Sequence, residues 1–290
     1  MSVLDDLRWK KFPVLDHGCL ALVDIMGDDS SVVQAARVSY GGIDGSGSKG
    51  KSAADDRNLI RYLLRKFHTT PFEMVVFKFY AKMPIFVARQ WIRHRMSSTN
   101  EISGRYSEMK DEFYVPDPSW ITKQDQSNKQ GGSDDLVDDP KLQEHCFHKE
   151  AEDDFGLYSS RLNTGMRKEL ARINLPLSTY TEWYWKIDLH NLMHFLLLRL
   201  DSHAQREIRV YGEAMAEIVK QCCPVCWEAF EDYRLQAMPL TRLDIEAICI
   251  AADIMKSRTE IVVADRLVSH ISNKREREEC LAKLKRLGIL

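Results

Sequence analysis

Residues Met74–Met83 set Phe77, Phe79 and Ala81 against Lys78, Tyr80 and Lys82 in strict alternation, and Pro84 closes the run. Successive side chains of a strand point to opposite faces, so this period of two predicts a strand with one apolar and one wetter face. Pro84 fits the first position of a helix predicted to run to about Arg95. Cys19–Met26 (C-L-A-L-V-D-I-M) and Thr179–Lys186 (T-Y-T-E-W-Y-W-K) have the apolar, aromatic and β-branched content of two further strands.

Helical patterns lie between them. Asp28, Asp29, Ser30 and Ser31 are cap candidates for a short helix through Val38. Leu59, Ile60, Leu63, Leu64 and Phe67 mark a helix over about Ala54–Phe67. A long helix or helix pair is predicted from Pro140 to about Asn174, ending before Pro176. Asp188 can cap a helix over Leu189–Leu200, with Leu189, Leu192, Met193, Leu196, Leu197 and Leu200 as its inner stripe. Another helix covers about Ala204–Cys222 and stops at Pro224. The Gly- and Ser-rich Gly41–Ser52, the polar Met96–Ser107 and the Pro-, Asn- and Asp-bearing Asp117–Pro140 are predicted loops. Beyond Met238 the pattern is helical, with Leu243, Ile245, Ile248 and Ile250, a charged run Lys274–Glu279, then Leu281, Leu284 and Leu287.

Strands and helices thus come in irregular order, without internal repeats or a glycine-rich strand–turn–helix. The expected class is α+β, a mixed sheet with packed helices, rather than a doubly wound α/β sheet. The 290 residues, 44% of them hydrophobic, suffice for one sizeable core. A net charge of −2 offers no global attraction for nucleic acid, so any anion site must come from local clustering. Met1–Lys11 is charged and lacks the apolar core of a signal peptide, and runs such as Leu196–Leu198 are too short to span a bilayer; a soluble, cytoplasmic protein is expected. Seven irregularly spaced cysteines argue against a disulfide framework.

The densest chemical feature is Arg93–Ser107, R-H-R-M-S-S-T-N-E-I-S-G-R-Y-S. Arg89, Arg93, His94 and Arg95 sit near the end of the predicted helix, and Ser97, Ser98, Ser103, Gly104, Arg105 and Ser107 follow. Guanidinium groups bind phosphate bidentately, and hydroxyls with backbone N–H groups around a glycine can complete the cradle, which points to a phosphorylated ligand. The plainer alternative is cations favoured at a helix C-terminus. Glu101 fits either an internal ion pair or a hydrogen bond to a sugar hydroxyl or ring nitrogen.

His190 and His194 share one helix face, but the intervening Asn191, Leu192 and Met193 lack the glutamate of a zinc-hydrolase motif. They read as polar ligand contacts or surface histidines before they read as a metal site. Arg199 interrupts an apolar run (F-L-L-L-R-L), and Arg172 has a similar setting. Each needs a salt bridge or a polar ligand if buried. The C-P-V-C from Cys223 to Cys226 invites a redox reading, yet it lies near a helix end, where packing cysteines fit better. Trp183 and Trp185 are expected in the core or an interface.

Arg93-His94-Arg95, seven residues, then Ser103 resembles the signature of the flavin-dependent thymidylate synthases. The likeness continues through P-I-F-V-A-R-Q-W-I-R-H-R and G-R-Y-S. It includes A-A-R-V-S (Ala35–Ser39), H-T-T-P-F-E (His68–Glu73), A-R-I-N-L-P-L (Ala171–Leu177) and L-R-L-D-S-H-A-Q (Leu198–Gln205), in the family's order over about Gly18–Phe230.

The resemblance implies a synthase domain over 1–237 and a helical extension over 238–290, in a homotetramer with ligand sites at subunit interfaces. It implies methylation of dUMP to dTMP with FAD as cofactor and NADPH and methylenetetrahydrofolate as co-substrates. Ser39, Thr70, Arg93, His94, Arg95 and Glu101 match FAD-binding positions, with Asp188, His190 and His194 at flavin-contact positions. Gln90, Arg93, Glu101, Ser103, Gly104, Arg105, Arg172 and Arg199 match dUMP-binding positions, Arg199 being the group that polarises or ionises the uracil. Smaller family members carry Asn and Arg in place of Asp188 and His190, and Asn in place of His194. No cysteine lies in the anion-binding segments, so the chain offers no thiolate nucleophile there, and reduced flavin is expected to take that part. A zinc hydrolase using His190 and His194, and a nucleic-acid binder using the Arg93–Arg105 cluster, are the alternatives.

Overall fold

The computed structural model describes residues 3–41, 50–125, 131–257, 264–271 and 274–290. The chain divides into two compact units, Met1–Leu235 and Gln236–Leu290.

The first unit opens with α1 (Val3–Leu7), β1 (Lys11–Val14), β2 (Gly18–Met26), α2 (Asp29–Gly41), α3 (Ala53–Arg65) and a 3-10 turn, Thr70–Met74. Then come β3 (Val76–Pro84), α4 (Ile85–Trp91), β4 (Ser98–Glu101), a 3-10 turn Pro118–Trp120, and the hairpin β5 (Thr122–Gln124) and β6 (Gly132–Leu136). It continues through α5 (Pro140–Asn163), α6 (Lys168–Ala171), β7 (Tyr180–Asp188), α7 (Leu189–Arg199), α8 (Arg206–Cys222) and α9 (Pro224–Phe230).

Five strands form one sheet in the order β1-β2-β3-β7-β4, every ladder antiparallel. The expectation of a mixed sheet is therefore corrected to an antiparallel one. The alternation in β3 survives intact: Phe77, Phe79, Ala81 and Met83 are fully buried, while Lys78 faces water. On β7, Thr181, Trp183, Trp185 and Ile187 join the buried face. An antiparallel sheet with one solvated face produces this pattern. Trp91, at the end of α4, is wholly buried at the centre of the core. Its ring centroid lies 5.3 Å from Trp183, 5.2 Å from Trp185, 5.3 Å from Phe195 and 5.7 Å from Tyr211.

The predicted helix to Arg95 stops at Trp91, with Pro84 as its N-cap rather than its first residue. The chain turns there because Ser97 ties it to the sheet: Trp185 Nε1 donates to Ser97 Oγ at 2.9 Å, and that hydroxyl donates to the His94 carbonyl at 2.9 Å. The segment beyond, predicted as a loop, becomes β4 paired with β7, Ser98 opposite Lys186 and Glu101 opposite Trp183. Four polar exposed residues carry no hydrophobic period, so only the ladder defines this strand. The predicted loop over 117–140 likewise holds the β5–β6 hairpin. The expected loop over 41–52 lies largely outside the described residues, but its end is set by Ser52, which caps α3 reciprocally with Asp55.

Cys223 and Cys226 are buried free thiols flanking the start of α9. The Asp29 carboxylate accepts from Val225 N and Cys226 N, both at 2.9 Å, and so caps that helix. Burial, reinforced by Asp29, pushes both thiols well above the ordinary cysteine value. A buried, protonated thiol packs and does not attack.

The second unit holds α10 (Arg242–Ser257), α11 (Ala264–Leu267) and α12 (Lys274–Arg286). Ala247, Ala251, Leu267, Val268, Ile271, Cys280 and Leu284 form its own core. Asp244 is 3% exposed and accepts from Thr241 N at 2.7 Å and Lys283 Nζ at 2.6 Å, so the cap of α10 is tied to α12. Among the described residues, no helix is long and apolar enough to cross a membrane.

Candidate active site

The site residues expected from the sequence fall into two groups. The first lies where α4, the turn after it and α7 converge. Arg199 closes α7 and His94 sits three residues past Trp91. Arg199 Nη2 lies 3.0 Å from His94 Nε2. The imidazole packs edge-on against Phe195, with centroids 4.8 Å apart, and against His194 at 6.1 Å. Burial first, then the charges of Arg199 and His194, pushes the His94 imidazole down to about 4. It is therefore neutral at physiological pH and can accept the Arg199 hydrogen bond. Burial also lowers the Arg199 guanidinium below its ordinary value.

Arg199 has no carboxylate partner among the described residues, so the internal salt bridge considered for it is absent. Its Nε is buried without a hydrogen-bond partner, as is Gln90 Oε1 on α4. Both side chains line a cleft of about 1100 Å³, together with Trp120, Leu198, His203 and Arg206. The Arg206 guanidinium stacks 4.0 Å over the Trp120 ring. A donor and an acceptor stripped of water and left unpaired are costly, and such groups concentrate where a ligand or partner completes them.

The second group surrounds the end of β4. Thr181 Oγ1 donates to Glu101 Oε1 at 2.6 Å, so Glu101 is held by a hydroxyl, and it has no ion pair with the neighbouring arginines among the described residues. Ser103 organises a turn, its carbonyl accepting from Tyr106 N at 3.1 Å and Ser107 N at 3.0 Å. Its hydroxyl accepts from Arg105 N at 3.3 Å. Gly104 packs against Arg172, where a side chain would collide with Arg172 and Met109. Arg105 reaches Glu169 at 3.4 Å in a largely exposed pair of little energetic weight. Arg172 has no ion-pair partner among the described residues, and neither do the exposed Arg93 and Arg95. A guanidinium without a carboxylate partner is available to an anion.

No hydrogen bond or ion pair joins the two groups among the described residues. Ser39 lies exposed on the last turn of α2, and Thr70 exposed at the start of the 3-10 turn Thr70–Met74. α2 packs on that turn, and the turn packs on α7, which carries His190 and His194. Asp188 caps α7: its Oδ1 accepts from Asn191 N at 2.9 Å and its Oδ2 from Asn191 Nδ2 at 2.7 Å.

A family model described as thymidylate synthase complementing protein matches residues 21–225. A flavin-dependent thymidylate synthase of Gluconobacter oxydans (strain 621H) is 54% identical over 245 residues, covering 83% of this chain and 79% of that protein. The chain belongs to the flavin-dependent thymidylate synthase family.

The relative from Rickettsia prowazekii (strain Madrid E) is 47% identical, and its alignment covers 96% of this chain and 95% of that protein, so it runs into the second unit. Among solved structures, the UMP/dUMP methylase PolB from Streptomyces cacaoi, bound with 5-Br dUMP, superposes with a TM-score of 0.69 at 35% identity. That match covers 77% of this chain and 99% of PolB. The family likeness does not reveal Thr181, Glu169, Trp120 or Arg206 as neighbours of the site. Thr181 could have been read from the inward period of β7; the other three depend on tertiary contacts.

Proposed function

We propose that this chain is an FAD-dependent thymidylate synthase that methylates dUMP to dTMP, with methylenetetrahydrofolate as carbon donor and NADPH as reductant. One observation carries the reading beyond kinship: Arg199, half-buried and with no carboxylate in salt-bridge contact among the described residues, stands on the wall of a cleft it shares with Gln90. An uncompensated guanidinium in a site of low dielectric stabilises negative charge developing on a bound ring. The uracil imide edge offers an N–H between two carbonyl oxygens. The unpaired Gln90 Oε1 and Arg199 Nε supply an acceptor and a donor of the matching kind.

Arg93, Ser103, Gly104, Arg105 and Arg172 hold the nucleotide phosphate and sugar, with Glu101 accepting from a sugar hydroxyl. Arg93 and Arg172, without ion-pair partners among the described residues, and the tight turn after Ser103 support that assignment. Ser39, Thr70, Arg93, His94, Arg95, Glu101, His190 and His194 are the positions that hold FAD. The unpaired Arg93 and Arg95 suit its diphosphate, and the His94 and His194 rings offer flat contact surfaces. Bound FAD supplies the hydride. The protein contributes orientation and electrostatics, with Arg199 raising the nucleophilicity of uracil carbon 5. Asp188 joins these flavin positions, and by capping the N-terminus of α7 it also orients His190 and His194.

The two residue groups meet across subunit boundaries of a homotetramer. Apolar side chains beside them support this: Ile92 is 43% exposed, Met96 70%, Tyr106 76%, Ile173 66% and Leu177 64%. Large apolar side chains left this open to water are of the kind a partner subunit covers. The synthase domain spans 1–237 and the helical extension 238–290, and the protein acts in the cytoplasm.

The deciding experiment is tritium release from carbon 5 of labelled dUMP with FAD, NADPH and methylenetetrahydrofolate, each omitted in turn. Release that requires both FAD and NADPH is the expected result. Release without flavin, or none at all with both ligands bound, overturns the assignment.

A further inference from the structure

We propose that His94 is a positioning residue for Arg199: its neutral imidazole accepts a guanidinium N–H through Nε2 and fixes the guanidinium on the cleft wall. The inference rests on the reading of Arg199 as the group that polarises uracil, and adds to it a role for His94 separate from any contact with flavin.

Arginine is rich in rotamer freedom, so a guanidinium that must face a reacting ring needs a partner to hold it. A carboxylate is the usual partner, but it would also neutralise the charge on which polarisation depends. A neutral imidazole orients without neutralising. With Arg199 as donor at 3.0 Å, Nε2 is the acceptor and the ring proton resides on Nδ1. A protonated His94 would place two cations in contact, and burial beside Arg199 and His194 disfavours that state.

The imidazole is itself held. Its backbone N–H donates to the Trp91 carbonyl at 3.0 Å, and Trp91 is wholly buried in the core. Its carbonyl is bound by Ser97, which Trp185 fixes in turn. Phe195, one turn before Arg199 on α7, packs against the ring at 4.8 Å. The guanidinium is therefore referred through His94 to the centre of the sheet. The charged or titratable groups facing His94 are Arg199 and His194 from α7, while Arg93 and Arg95 on its own segment point to solvent.

The test compares His94→Leu, which deletes the acceptor, with His94→Gln, whose amide oxygen can replace Nε2, each in the wild-type and Arg199→Ala backgrounds. The tetrameric holoenzyme is assayed by tritium release at saturating dUMP, and flavin absorbance gives FAD occupancy. Expected are a kcat about tenfold lower or more for His94→Leu, substantial rescue by Gln, and no further loss from His94→Leu once Arg199 is gone. Multiplying losses, or Gln no better than Leu at equal FAD occupancy, overturn the positioning role. So does normal turnover in His94→Leu when Arg199→Ala alone abolishes turnover, an outcome that leaves the function of Arg199 standing. Normal turnover in Arg199→Ala would instead remove the underlying reading, and the positioning role with it.

Discussion

Gly104 lies against Arg172 so closely that a Cβ at position 104 would stand 3.1 Å from Arg172 Cδ and 2.8 Å from Met109 Sδ. Both obstacles are flexible side chains, so Gly104→Ala should fold and shift Met109 and Arg172 instead. The expected result is a KM for dUMP raised about tenfold with FAD occupancy unchanged, a loss of about 1–2 kcal/mol from overpacking. Steady-state titration of dUMP checks it, and an unchanged KM would separate Arg172 from the nucleotide.

Arg199→Ala should reduce turnover by about 10²–10³-fold, the size expected when one group stabilising developing charge is lost. FAD should stay bound by absorbance. Arg199→Lys should restore only part, because lysine keeps the charge but loses the planar fork that His94 holds.

Complementation tests the placement of the two residue groups on different subunits. Chains carrying Arg172→Ala and chains carrying Arg199→Ala are each expected to be nearly inactive. Co-assembled in equal amounts, they should form intact sites at about one position in four, with a corresponding return of activity. A mixture as inactive as its parents would place both groups in one chain's site.

Asp188 is predicted to matter for stability before chemistry, because both carboxylate oxygens are engaged by Asn191. Asp188→Ala should lower unfolding free energy by about 1 kcal/mol, while Asp188→Asn keeps most of the cap. Chemical denaturation midpoints would show it.

Acid should weaken the second unit through Asp244. Burial alone would raise this carboxyl, but the hydrogen bonds from Lys283 and Thr241 outweigh it and hold the group well below the usual carboxylate range. The native state thus resists protonation more than the unfolded chain does. The stabilisation is full above the ordinary aspartate value of 3.8 and is lost as pH falls from there toward the depressed native value. Thermal unfolding at pH 7 and pH 3 should show a smaller pH effect in Asp244→Asn than in the wild type.

Much of this was legible in the sequence, because short-range periodicity and capping chemistry are local. The two-residue alternation of β3 predicted its buried face, and Asp188 predicted the start of α7, since a carboxylate three residues before a free backbone N–H needs no distant partner. The motif from Arg93 to Ser103 identified the family and gathered the candidate residues. Long-range packing decided the rest. β4 exists only because β7 offers it a ladder, and α4 stops at Trp91 because Ser97 ties the following turn to Trp185. No spacing in the chain could show that Arg199 meets His94, 105 positions away, or that Arg199 and Arg172 have no carboxylate partner among the described residues. Charge compensation depends on which groups the fold brings within a few ångströms, and that is set by tertiary structure alone.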